Sequence, residues 1–417
     1  MAHRPRAPAC RPGRRGRALA ASLALIVALA AGCGAGDESA STRVDGDTLT
    51  VYSSVPRHGV SAAAGDAVFA GQRRALERAG GRAGGRRVRL VRLSSTTPGD
   101  VRWDPGSVEA NAERAREDPS AIAYLGELDN GGSAVSLPVT NGAGLLQVSP
   151  TDGLTSLTRA SPGRPRAGPE RYYPEELHNF ARLVPNDLVV ADQLVARLRS
   201  RRVGRVAILH REGIAERELA ATLVQRLIGG GIEPTFVEPL RDDDDDAASE
   251  AAAELVGTRP QAVIYLGVGG ATTASVLAAL AAAAPRLPVL AGAGVLADGA
   301  PAGPSPRDLT VLTPVLPGRA QPAAGRRVLS GLARERGAPV RPEALYGYAS
   351  MGLVLAAIER AGPDRRGVVR AALAPAARST VLGRMSLRPS GDVESRRLAL
   401  LRVSDGEVAL ERVLPER

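Results

Sequence analysis

Few residues in this 417-residue chain could do covalent, metal or phosphate chemistry. The four histidines, His3, His58, His178 and His210, are scattered, without the short spacing that places two imidazoles on one metal. Both cysteines, Cys10 and Cys33, lie close to the N-terminus. All 54 basic residues are arginine, so neither a lysine Schiff base nor a P-loop lysine can form. A Gly-x-Ser-x-Gly nucleophile elbow is also missing. The loop Gly267-Val268-Gly269-Gly270 sits between a strand-like and a helix-like segment, as a dinucleotide loop does. Its third glycine is out of place and no acid follows about 20 residues on, so these glycines read as a tight turn. The run Arg241–Asp246 (RDDDDD) lacks the spaced glycine and distal glutamate of a calcium loop. It reads instead as acids at the positive end of a helix dipole. The chain is therefore read as no enzyme, with no cofactor and no metal.

The charge narrows the partners. The net charge is +10, but six arginines fall in the first 17 residues, before any acid. With residues 1–32 set aside, 48 arginines face 44 acids and the excess drops to +4. No dense basic patch remains for phosphates, and one Trp with three Phe offers little for base stacking, so nucleic acid is excluded. Residues 18–31 (ALAASLALIVALAA) are uncharged and apolar. As a helix they span about 21 Å, short of a bilayer core of about 30 Å but suited to a signal-peptide core. The segment runs into Leu29-Ala30-Ala31-Gly32-Cys33, which resembles a lipobox with Cys33 as the lipidated residue. The expectation is a signal peptide over 1–32, a lipidated Cys33 opening a flexible tether over 33–47, and export to the outer face of the cell membrane.

From residue 48 short aliphatic runs alternate with Ala-rich helical stretches. Strands are expected at Thr48–Ser53, Val88–Leu93, Ile122–Leu125, Leu145–Val148, Val206–His210, Thr235–Val237, Ala262–Gly267, Pro288–Ala291 and Leu309–Thr313. Helices are expected between them, with a longer one at Pro342–Ala361 and a strand-rich end. This alternation implies βαβ units in an α/β fold with mostly parallel sheets. The rhythm breaks at 160–177, a Pro-, Gly- and Arg-rich stretch read as an exposed insertion between two lobes. Lobe 1 is expected over 48–182 and 316–378, lobe 2 over 183–315 and 379–417.

Several blocks stand in a recognisable order: Phe69-Ala70-Gly71, Asp104-Pro105, Tyr124-Leu125-Gly126 through Val148-Ser149-Pro150, Phe180-Ala181-Arg182 through Asn186-Asp187, and Tyr346-Gly347-Tyr348-Ala349. In these the chain resembles the substrate-binding lipoproteins of ABC transporters, in the leucine/branched-chain amino-acid-binding family. The resemblance implies a type I periplasmic-binding fold: two α/β lobes, each a mostly parallel sheet flanked by helices, with the ligand cleft between them. It also implies an ABC permease as partner. In such a sheet, strand C-termini and helix N-termini converge on a crevice whose free N–H groups favour an anion. The expected contacts are Ser54, Arg57 and His58 after the first strand; Asn130, Gly131 and Ser133; Thr151, Asp152 and Gly153; and Val268, Gly269 and Ala293 from lobe 2.

Four of these depart from the amino-acid-binding pattern. Asn130 stands for a carboxylate-binding Ser, Gly153 for a Thr, Val268 for an aromatic, and Ala293 for the acid that pairs the ammonium. Asp152 is the one nearby acid that could take over that last role. The departures count against a zwitterionic aliphatic amino acid; the expectation is a small polar, carboxylate-bearing ligand, with amino-acid-like solutes within that range, captured for an importer. The alternative is a sensory or partner-binding lipoprotein on the same fold.

Overall fold

The computed structural model describes residues 42–163, 168–241 and 245–414. The chain builds β1 (Thr48–Val55), α1 (Ala62–Arg78), β2 (Arg82–Ala83), β3 (Arg86–Ser94), α2 (Pro105–Glu117), β4 (Ala121–Leu125), α3 (Ser133–Gly142), β5 (Leu146–Ser149) and β6 (Phe180–Arg182). These strands form one sheet in the order β2-β3-β1-β4-β5-β6, parallel except for the β2–β3 pair. Parallel strands buried on both faces need continuous apolar runs, and β4 (AIAYL) is buried at every position. Helix α2 starts sharply because the Asp104 side chain accepts from Ser107 N–H at 2.7 Å and Pro105 takes the first turn.

The chain then crosses into the second lobe: α4 (Asp187–Ser200), β7 (Arg205–Arg211), α5 (Ile214–Gly229), β8 (Glu233–Leu240), α6 (Asp245–Gly257), β9 (Ala262–Leu266), α7 (Ala271–Ala283), β10 (Val289–Gly292) and β11 (Leu309–Thr313). It returns as α8 (Ala323–Arg336), α9 (Glu343–Ala361), α10 (Arg365–Leu373) and the hairpin β12 (Arg378–Thr380) and β13 (Gly383–Met385). It ends in β14 (Leu398–Ser404) and β15 (Glu407–Leu414). The second sheet runs β15-β14-β11-β10-β9-β7-β8, parallel from β11 to β8 and antiparallel at its β14–β15 edge. The architecture is the expected one, two mostly parallel sheets flanked by helices.

Helices α1 and α9 pack closely in lobe 1. A Cβ on Gly71 would lie 1.8 Å from Ala344 O, and one on Gly347 would lie 2.1 Å from Val68 O. Only glycine at both places lets the two backbones approach this far. Tyr346 on α9 holds the second crossover, accepting from Leu316 N–H and donating to Pro314 O, each at 3.1 Å.

The structure adjusts several boundaries. Met385, Leu387 and Val393 lie in the lobe 1 core with α9, so the last crossover falls between Val393 and Leu398, later than residue 379. Residues 42–44, read as tether, are docked: Val44 is buried, and its N–H donates to Pro363 O. Within the described part of 160–177, Ser161 and Tyr172 are buried, so those residues are not the exposed insertion expected there. Ser161 Oγ lies 3.0 Å from Thr222 Oγ1 on α5, which ties the segment to lobe 2. His210, at the end of β7, is buried and holds Arg211 O through Nδ1. Residues 1–41, including Cys33 and the signal segment, lie outside the described residues, as do 242–244 of the aspartate run.

Candidate functional site

A cleft of about 430 Å³ lies where the two sheets face each other. Its lobe 1 wall comes from the segments after β1 (Ser61, Ala64), β3 (Arg102, Trp103), β4 (Leu128, Asp129, Asn130) and β5 (Thr151, Gly153). Its lobe 2 wall comes from the segments after β7 (Ala215, Glu216), β9 (Gly267, Val268), β10 (Gly292, Ala293, Gly294) and β11 (Thr313, Pro314). Asp187 at the start of α4 and Arg341–Glu343 at the start of α9 complete it. Most contributions are strand C-terminal loops or helix starts, which is where open α/β sheets place ligands, and the β14–β15 edge adds Leu401 and Val408. The volume suits a small solute.

Five of the expected contacts line this cleft: Asn130, Thr151, Gly153, Val268 and Ala293. The other seven do not. The Ser54 hydroxyl is buried under the wall, donating to Glu127 Oε2 at 2.7 Å and accepting from Asn111. Arg57 and His58 are exposed, with their backbone N–H groups held by Thr96 Oγ1, so this turn stands outside the cavity. Asp152 is fully buried as a brace: its Oδ1 accepts from Gly131 and Leu154 N–H, its Oδ2 from Ser133 N–H. That use occupies Gly131 and Ser133 as well, and leaves Asp152 unable to face a ligand. Gly269 N–H is taken by Gly294 O at 2.8 Å, a loop-to-loop tie within lobe 2.

Ser61, Arg102, Trp103, Asp129, Asp187, Glu216, Arg341 and Glu343 also line the cleft, though none is among the contacts expected from the sequence; Asp129 opens a loop expected there and Asp187 closes the Asn186-Asp187 block. Trp103 is the only tryptophan in the chain, and its place just before the Asp104-Pro105 helix start was the available signal. Asp187 and Glu216 each sit in the first turn of a helix that follows a lobe boundary or a strand end. In this fold that position points at the cleft.

The wall is acidic, and its carboxyls are shielded from solvent. Burial pushes the Asp129 carboxyl up to about 6, partly offset by the Ser61 hydroxyl that donates to it at 2.6 Å. Burial also raises Asp187 to about 7, opposed by the Asn130 amide. Glu216 is raised by burial, with Arg211, Arg102 and Arg217 pulling the other way. Beneath the wall, burial takes Glu127 to about 8 although Tyr124 and Ser54 both donate to it. The lobes touch around the cleft: a Cβ on Gly131 would lie 2.5 Å from Ile214 Cγ2, and one on Gly270 would lie 3.2 Å from Val60 Cγ1.

Comparison with known proteins agrees with this geometry. The sequence matches the periplasmic binding protein family over residues 50–407, and the chain belongs to that family. Among curated proteins no sequence match was found. The fold is similar to that of a leucine-binding protein, LivK, from Thermotoga maritima, at 18% identity and TM-score 0.71, covering 88% of this chain and 98% of that one. A solute-binding protein of an ABC transporter from R. palustris, solved with benzoate, matches at 17% identity and TM-score 0.70, covering 88% and 96%. The LivJ protein of Streptococcus pneumoniae, solved with isoleucine, matches at 14% identity and TM-score 0.69, covering 88% and 98%.

Proposed function

We propose that this chain is an extracytoplasmic solute-binding protein that captures a small polar ligand and delivers it to an ABC permease. The observation that carries this reading is the cleft of about 430 Å³ between two α/β lobes, walled largely by strand C-terminal loops of both. A ligand held by both walls favours the closed arrangement over the open one, so binding and closure are linked. The wall carries the acids Asp129 and Asp187 together with Arg102 and Arg341, a mixed polar lining that fits a small polar, amino-acid-like solute. The similar proteins named above, solved with benzoate or isoleucine or described as leucine-binding, support that range of ligands. Binding rather than catalysis is supported by the similar proteins named above, which are described as solute-binding or leucine-binding.

The anchor is part of the same proposal. The apolar run 18–31 followed by Cys33 supports a lipoprotein held on the outer face of the membrane. Mass spectrometry of the membrane fraction should find a diacylglyceryl group on Cys33, and Cys33→Ala should release the protein.

The ligand is sought by a thermal-shift screen of the purified protein against amino acids, amides, short carboxylates, aromatic acids, amines and sugars. A ligand at about 100 times its Kd adds roughly 2.7 kcal/mol to the folded state, a resolvable shift. A cooperative melt that no solute class moves would overturn the receptor reading.

A further inference from the structure

Asp129 Oδ2 is shielded from solvent and accepts no hydrogen bond among the described residues, while Oδ1 takes the Ser61 hydroxyl. A carboxylate oxygen in that state is costly unless a donor reaches it. Its neighbours do not relieve it. Asp152, behind it, spends its oxygens on three backbone N–H groups. Asp152 and Glu216 are themselves acids, and both push the Asp129 proton affinity up. Asp187 stands next along the same wall, linked through Asn130.

The balance of the lining points the same way. It carries four acids (Asp129, Asp187, Glu216, Glu343) against two arginines (Arg102, Arg341). Arg341 is already ion-paired to Glu343 at 2.9 Å, and Arg102 acts on Glu216. The cleft is therefore opposite in sign to a chain whose net charge is +10.

We propose that the cleft selects a solute bearing a cationic amine, with the ammonium donating to Asp129 Oδ2 beside Asp187. This rests on the receptor reading and specifies the ligand it takes. An ammonium supplies the missing donor and the missing charge together. The anchoring acid lies on lobe 1, not at the lobe 2 position that Ala293 occupies, so a carboxylate on the ligand is not required. Binding favours ionised Asp129 and Asp187. Around Asp129 the groups that face these carboxyls are Ser61, Asp152 and Glu216; around Asp187 they are Asn130, Asp152, Arg182 and Glu218. Affinity for an amine should therefore rise as pH climbs past the values to which burial has lifted the two acids.

The test is isothermal titration calorimetry of the purified protein with matched amine and carboxylate pairs of propyl, isoamyl and benzyl size, run at about pH 5.5 and about pH 8. Amines of fitting size should bind while their matched carboxylates do not. Amine affinity should rise about tenfold with pH, with protons released at the lower pH. Asp129→Asn should lower amine affinity at least about tenfold at the higher pH and weaken the pH dependence. Should that variant fail to fold, the pH series on the unmodified protein decides alone. A carboxylate binding as well as its matched amine, or a thermal-shift hit that lacks an amine, would overturn the inference and leave the receptor reading standing. If no class of solute binds at all, the receptor reading falls, and this inference with it.

Discussion

Asn130 joins the two lobes' approach to the cleft: its amide nitrogen donates to Asp187 Oδ2 at 2.8 Å while its carbonyl oxygen accepts from Gly153 N–H at 2.6 Å. One side chain thus fixes the loop after β4, the loop after β5 and the start of the first lobe 2 helix. Asn130→Ala would leave the Asp187 carboxyl and the Gly153 N–H without this partner. Each buried group left unsatisfied costs about 1–3 kcal/mol. With two such groups, chemical denaturation should show a loss of about 2–6 kcal/mol, together with weaker ligand binding. An unchanged midpoint would mean water replaces Asn130 without cost.

Arg182 is fully buried and ion-paired to Asp392 at 2.9 Å, and it also donates to Asp152 O, Leu154 O and Thr158 Oγ1. It fastens the end of β6 to the last crossover. Arg182→Met removes one partner of a buried pair and should destabilise the fold by about 3–5 kcal/mol. Urea unfolding measures it; a loss under about 1 kcal/mol would show that the pair contributes little.

The buried carboxyls make stability depend on pH. Glu127, Asp129 and Asp187 are held at about 8, 6 and 7 in the fold, above their values in an unfolded chain near 4. Between these limits the folded state holds protons that the unfolded state has lost. Stability without ligand should therefore fall as pH rises from about 4.5 to about 8 and then level off. Denaturation across that range checks the sign. Glu127→Gln, which mimics the protonated form, should flatten the upper part of the decline.

Gly131 lies against the start of α5 across the cleft. Its φ is +89°, and a Cβ there would lie 2.5 Å from Ile214 Cγ2. Gly131→Ala should therefore hold the lobes apart and weaken ligand affinity by about tenfold, since only the closed fraction binds tightly. Titration of the variant with whichever solute stabilises the parent gives the value. Unaltered affinity would show that the loop can yield at no cost.

Much of the fold is legible in the sequence, and the reasons are local. β4 (AIAYL) and β9 (AVIYL) are apolar at every position, and α9 follows a long apolar helix pattern. Helix α8 is not legible, because only Gly325 and Leu332 are buried in an Arg-rich stretch. Strand β6 is three residues long, too short for an alternating pattern to show. The cleft is half legible. Asn130, Thr151, Gly153, Val268 and Ala293 follow strands that the pattern reveals. Asp187, Glu216 and Trp103 are brought in by helix starts, and Asp152 is turned away by hydrogen bonds to three backbone N–H groups. Periodicity tells which face of an element packs. It does not tell which loop reaches across to the other lobe.

The central claim, capture of a solute between the lobes, has a built-in reporter, because the single tryptophan, Trp103, lines the cleft. Intrinsic fluorescence of the purified protein should be titrated with each solute that raises its melting temperature. The account predicts a saturable change in Trp103 emission whose midpoint matches the affinity read by calorimetry. A stabilising solute that leaves Trp103 emission unchanged would place binding away from the cleft and contradict it.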